Sequence, residues 1–108
     1  MIRGQLVTIA LQGDFGKPRP ALVVQSELFG SHPTITVLPV TSDLRNTPLF
    51  RVTVQPSAAN GLRQQSQVMI DKGMTVAREK LGKEIGQLET ETMLEVDRCL
   101  AVFLGIVK

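Results

Sequence analysis

The residue types in this chain that can do chemistry are arginine, lysine, aspartate and hydroxyl, and four stretches concentrate them. Arg19-Pro20 leads straight into Ala21-Leu22-Val23-Val24. Pro20 fixes its own φ and restricts the residue before it, so Arg19 is held at the mouth of a strand. A guanidinium there is a natural bidentate ligand for phosphate, and a solvated loop arginine is the plain alternative. Leu38-Pro39-Val40-Thr41-Ser42 places two hydroxyls just past an apolar run. Residues 61–72 carry Arg63, Gln64, Gln65, Ser66, Gln67, Asp71 and Lys72. A fourth stretch runs from Thr75-Val76 through Arg78-x-Lys80-Leu81-Gly82 to Ile85-Gly86-Gln87-Leu88. Such groups can cleave RNA. The substrate's ribose 2′-OH is the nucleophile, and the protein needs a base near it, a cation on the phosphorane oxygens and help for the leaving 5′-oxygen. That scheme requires no metal and no other cofactor.

Other chemistries lack their residues. The one histidine, His32, sits beside Pro33 in a turn, where a solvated role outweighs metal ligation or catalysis. With one histidine and one cysteine no Ser-His-Asp or Cys-His set is apparent, and neither a Walker nor a dinucleotide-type glycine loop is present. Cys99, between Val96 and Leu100, reads as a small core residue. A single cysteine allows no intrachain disulfide, and a reducing, cytoplasmic setting is expected. The opening Met1-Ile2-Arg3-Gly4-Gln5 has no signal-peptide apolar region, and no run approaches the ~20 apolar residues of a membrane span. Net charge is +2, but residues 1–88 hold +4 and residues 89–108 hold −2. A basic body with an acidic tail suits a polyanion on one face, although +4 over 88 residues is also unremarkable. The 4 phenylalanines, with no Trp or Tyr, argue against a base-stacking platform, so nucleic acid contact must lean on charge and hydrogen bonds.

The elements that must position these groups are mainly strands in one domain over residues 1–108. Residues 5–11, 21–25, 34–40, 49–54, 67–71, 74–76 and 84–88 read as short strands. Residues 12–20 form a loop with two glycines and two prolines, and residues 41–48 form a second. Pro39 marks a bulge or a strand end. Residues 78–81 read as one helical turn stopped by Gly82. From Thr90 the period becomes helical, with Met93, Val96, Leu100, Phe103 and Val107 on one face and Glu91, Glu95 and Asp97 outward. Thr90 is a candidate N-cap, and Thr92-x-x-Glu95 a rival capping box. The class is mainly β with minor α: roughly five to seven short strands in a small bent sheet or barrel, closed by a C-terminal helix.

The ordered set resembles the MazF/PemK (Kid) toxins of bacterial toxin–antitoxin modules over nearly the whole chain. The resemblance runs from Arg3-Gly4, through Arg19-Pro20, Pro39-Val40-Thr41-Ser42 and Gly61…Ser66…Asp71, to Thr75-Val76…Lys80-Leu81 and the last helix. It implies an SH3-like barrel of the CcdB/PemK kind, working as a homodimer. It also implies a sequence-selective, metal-independent endoribonuclease that cuts single-stranded mRNA, leaves a 2′,3′-cyclic phosphate and a 5′-hydroxyl, and is blocked by a cognate antitoxin. By the same resemblance Arg19 binds the reacting phosphate, and Thr41 and Ser42 are the catalytic or RNA-binding pair. Asp71 takes the place of the acidic base, with a pKa that apolar neighbours in a strand would raise. Ser66 binds RNA, and Gln65, Gln67 and Lys72 are further candidates for RNA contact.

The chain departs from the pattern in two places. Some relatives carry an arginine two residues before the acidic position; here it is Met69, which cannot transfer a proton. Either Arg19 with Lys72 or Arg63 takes over, or the chain is slow or inactive. Asp14 and Lys17 stand where some relatives have a His-Glu pair, so Asp14 is either a second acid–base group or a turn residue. The rival readings are a non-catalytic, protein-binding toxin similar to CcdB and an inactive SH3-like binding module.

Overall fold

The computed structural model describes residues 2–10 and 17–108; Asp14 and the end of the first expected strand lie outside them. Among the described residues there are seven strands: β1 (Gln5–Ile9), β2 (Arg19–Val23), β3 (Thr34–Thr41), β4 (Arg51–Val54), β5 (Ser66–Met69), β6 (Met74–Ala77) and β7 (Leu81–Gln87). They form an antiparallel sheet in the order β4-β5-β3-β2-β1-β7, with β6 also paired to β3, and one helix follows, α1 (Thr90–Phe103). The mainly β class with a C-terminal helix is therefore what the chain adopts. No helix among the described residues is long and apolar enough to cross a membrane.

The three central strands are apolar on both faces, which is why their sequences read as nearly continuous apolar runs. Leu6 pairs with Leu22, and Leu22 with Leu38, making a row of leucines across the sheet. That row is buried with Val68 and Ile70 beneath Val96 and Cys99 of α1. Successive strand residues point to opposite faces, so Val7, Ile9, Ala21, Val23, Ile35 and Val37 form a second core, covered by Met74, Val76 and Leu81. Burying a leucine fully is worth about 1.5–3 kcal/mol, so these two layers carry most of the stabilisation.

Strand β3 is the hinge of the topology. Its first half pairs with β6, from Thr34↔Ala77 to Val37↔Met74, and its end pairs with β5 at Val40↔Val68 and Thr41↔Gln67. Pro39 falls between the two pairings, where β3 changes partner. The strand continues through Pro39, so Thr41 is its last paired residue rather than a loop residue.

Six further expectations change. Leu49 and Phe50 belong to a turn, with Phe50 N–H donating to Thr47 O, and β4 starts at Arg51. Asp71 lies in a 3-10 turn, Ile70–Lys72, rather than in a strand. Gly82 does not stop the chain: the 3-10 turn Arg78–Lys80 runs directly into β7, and Gly82 lies against Thr8. The helix starts at Thr90, but its N-cap is Glu89, which makes no side-chain bond to the helix end. Asp97 also turns inward. Arg3 grips it with both amino groups, at 3.2 and 2.6 Å, while donating Nε–H to Val24 O, so the start of β1 is bolted to α1. The expected apolar stripe is buried only over its first part: Val96 is covered, whereas Phe103 and Val107 are 52% and 53% exposed.

Candidate nucleic-acid cleft

Three of the four stretches singled out by their chemistry converge on one cleft of about 1050 Å³, and the fourth, from Thr75 to Leu88, contributes only Ile85. Its walls include Lys17 to Pro20, Pro39 to Ser42, Gly61 to Gln64, and Ser66, Met69 and Lys72. The sheet brings these together because β2 and β3 are neighbours and β5 pairs with the end of β3. Four cations line the cleft, Lys17, Arg19, Arg63 and Lys72, and among the described residues no carboxylate does. A concave surface carrying one sign of charge focuses its field and raises the local concentration of the opposite charge.

Six of the candidate residues stand on this wall: Arg19, Thr41, Ser42, Lys17, Ser66 and Lys72. Arg19 opens β2 opposite Ile9 and is exposed. Thr41 Oγ1 accepts from Asp43 N–H at 3.0 Å and so shapes the loop that carries Ser42. Ser66 is buried and donates to Gln64 O at 2.9 Å, which holds the adjoining wall.

Three others are placed differently. Gln65 is exposed and off the wall. Gln67 is buried, and its amide is spent inside the protein: Nε2 donates to Arg45 O and Thr53 Oγ1, and Oε1 accepts from Arg45 N–H and Arg51 Nη1. It therefore staples the 43–45 loop and has no capacity left for a base. Asp71 is not part of the wall; its Oδ2 is 3.5 Å from Nζ of Lys72, which is, and its Oδ1 is buried without a partner among the described residues. Its ion pair with Lys72 is its link to the cleft. Asp14 lies outside the described residues. The wall also holds Arg63, Gln64 and Leu62, which the sequence marks only as parts of a motif.

The 61–64 wall is held by a polar knot that the sequence does not announce. Asn60 is fully buried; its Oδ1 accepts from Ser57 N–H and Leu62 N–H, and its Nδ2 donates to Gln55 O and Glu89 Oε1. Ser57 Oγ–H donates to Glu89 Oε2 at 2.5 Å. The Ser57 bond, helped by Asn60, holds the Glu89 carboxyl below its ordinary value of 4.5 against the opposing effect of burial. A carboxylate with a lowered folded pKa adds stability above its unfolded pKa, and that stability is lost as pH falls through the folded value. Glu89→Gln should therefore be less stable than the native chain at neutral pH, and the gap should close on acidification below about pH 4.5. Urea unfolding of both proteins across that range measures it; a gap that does not change with pH would rule out the ionic contribution. Cys99 is buried and off the cleft wall, and burial first and Glu95 second push its thiol pKa up.

The model of the PemK-like, MazF-like toxins of type II toxin–antitoxin systems matches residues 2–104. The chain belongs to this family. A probable endoribonuclease MazF from Mycolicibacterium smegmatis is 42% identical over 107 residues, 98% of each chain. A mycobacterial endoribonuclease solved in complex with its cognate antitoxin superposes with a TM-score of 0.84 at 25% identity, covering 100% of this chain and 98% of that one. A MazE–MazF complex from Deinococcus radiodurans superposes with a TM-score of 0.77 at 26% identity, covering 97% and 96%. Within the PemK/MazF fold, the cleft described above draws on the Arg19-Pro20, Pro39-Val40-Thr41-Ser42 and Gly61…Ser66 motifs.

Proposed function

We propose that this PemK/MazF-family chain is a toxin endoribonuclease that cuts single-stranded RNA, messenger RNA included, in the cationic cleft. The observation that carries this reading is the convergence of Arg19, Lys17, Arg63 and Lys72 with the hydroxyls of Thr41 and Ser42 on one wall. The 2′-oxygen attacks phosphorus while its proton leaves to a base; the P–O5′ bond breaks and the 5′-oxygen takes a proton from water or from a cleft cation, Arg19 with Lys72 or Arg63. The products are a 2′,3′-cyclic phosphate and a 5′-hydroxyl. Arg19 holds the phosphoryl oxygens with its fork, and developing negative charge there draws most from a preorganised cation. Thr41 and Ser42 hydrogen-bond the substrate beside it, and Lys17, Ser66 and Lys72 hold the strand. Asp71 is the candidate proton acceptor, beside Lys72. No step in this scheme uses a metal ion.

A cognate antitoxin is the expected partner, because relatives of this fold are solved with theirs. A homodimer is the expected assembly, and the exposed apolar residues at and just past the end of α1, Phe103, Leu104, Ile106 and Val107, form a surface a second copy would cover. The place of action is the cytoplasm, where messenger RNA is found.

The test is direct. The purified protein is incubated with a mixed RNA pool in EDTA, and the cut ends are sequenced and typed. Cuts at a recurring short motif, ending in cyclic phosphate and 5′-hydroxyl, are expected. Intact RNA, or cuts that appear only on adding a divalent cation, would refute the proposal as stated.

A further inference from the structure

Two half-buried arginines, Arg51 and Arg78, hold only neutral partners; Arg78 donates to the carbonyls of His32 and Phe29, off the cleft wall, whereas Arg51 lies beside it. Arg3, Arg45 and Arg98 each pair with a carboxylate, at 2.6, 3.0 and 2.5 Å. Half-buried Arg51 has only neutral partners: Nη1 donates to Asp43 O at 2.8 Å and to Gln67 Oε1 at 3.0 Å, and Nη2 meets Met69 Sδ at 3.6 Å. A thioether is a weak acceptor, and a partly desolvated guanidinium keeps its full charge. Among the described residues no carboxylate lies within ion-pair distance of it.

Its position follows from strand register. Arg51 of β4 pairs with Met69 of β5, and Met69 lines the cleft. The guanidinium also holds the carbonyl of Asp43, the residue after Ser42 on the cleft wall. The fork is thus pinned by one amino group beside the Thr41–Ser42 segment. Its other amino group meets the sulfur of Met69, an unbranched side chain with three rotatable bonds that repacks readily. A planar fork with one arm anchored and one arm lightly covered is built to take an anion with two oxygens.

We propose that Arg51 binds a second phosphate of the RNA strand, next to the one held by Arg19, once Met69 moves aside. This rests on the reading of the cleft as an RNA site and adds to it a cation that residue types alone did not mark. Met69 leaves the wall without a basic side chain at its own position, and the neighbouring strand supplies the charge from across the ladder.

The probe is an oligoribonucleotide spanning a mapped cut and 2′-O-methylated at the cleaved residue, which binds but cannot react. Removing one cation from a bound phosphate lowers the slope of log affinity against log salt by about 0.7 on a single strand. Arg51→Gln is expected to show that fall and, on cleavable RNA, a KM raised roughly tenfold with kcat changed less than about twofold. Arg51→Lys keeps the charge and is expected to keep the native slope. In the wild-type protein the Arg51 Nε–H resonance is expected to shift on titration with the probe. A native slope in Arg51→Gln, or an unmoved Arg51 resonance at saturation, would overturn the proposal. Equal losses in both variants with no change in slope would reduce Arg51 to a prop for the Asp43 loop and overturn it too. If the wild-type protein cuts RNA, either result sinks only the role of Arg51. If the wild-type protein leaves RNA intact, the nuclease reading falls first and takes this role with it.

Discussion

Arg19→Ala is expected to lower RNA cleavage by about 10²–10³-fold while leaving the fold in place. The size follows from the chemistry: a fork aimed at phosphoryl oxygens acts where negative charge develops, and nothing replaces it at that spot. The silence in stability follows from exposure. Arg19 is exposed at the start of β2, where a solvent-exposed side-chain interaction contributes only about 0–1 kcal/mol. Pro20 remains, so the entry angle of the strand is unchanged. Arg19→Lys should recover only part of the rate, because a point charge lacks the bidentate geometry. Single-turnover cleavage and thermal unfolding of the same preparations check both halves. Undiminished cleavage by folded Arg19→Ala would remove Arg19 from the mechanism.

Gly86→Ala is expected to cost about 3 kcal/mol or more and to damage the cleft from a distance. Gly86 sits in β7 opposite Leu6, and a Cβ there would lie 2.4 Å from the carbonyl carbon and oxygen of Asn60 and 2.5 Å from Ala59 O. Those are backbone atoms and cannot rotate away. They belong to the turn that Ser57, Asn60 and Glu89 tie together, and Gly61 to Gln64 continue from it along the cleft wall. The facing residue, Gly61, has φ of +71° and is equally intolerant, since its own Cβ would meet Ile85 O. Denaturant unfolding should show a lowered midpoint for Gly86→Ala. Cleavage under conditions where the variant is still folded should show a raised KM, as the wall is displaced. A variant with native stability would show that the 59–61 turn can yield, contrary to the packing seen here.

Glycines also show where sequence reading stops. Gly82 reads as punctuation, because glycine most often marks turns and helix ends. In the folded chain Gly82 and Gly86 lie inside β7, and their lack of a side chain lets Thr8 and Asn60 approach. Close approach is a fact about which segments meet, and no local pattern reports it. The same holds for polar residues. Gln67 and Asp97 look like outward-facing groups by composition and period, yet one staples a loop and the other receives Arg3 across more than ninety positions of sequence. Asp71 looks like a strand residue because Val68-Met69-Ile70 precedes it, but the chain turns at Ile70 and carries the carboxylate off the wall. Phe103 and Val107 fit the helical period, but α1 ends at Phe103 and both residues are exposed.

By itself the sequence determined the run of strands, the single terminal helix, the apolar layers and the motif-level membership of the Arg-Pro, Thr-Ser and Asp-Lys groups. Those signals are local: strand and helix periods, proline stiffness and residue type act within a few positions of the chain. Only the tertiary structure decided which cations share a cleft, that Gln67 and Asp97 are tied up in the fold, and that Arg51 stands beside Met69. Those outcomes depend on strand register and on the partner change of β3 at Pro39, which arise from packing two apolar faces at once and are written in no single stretch.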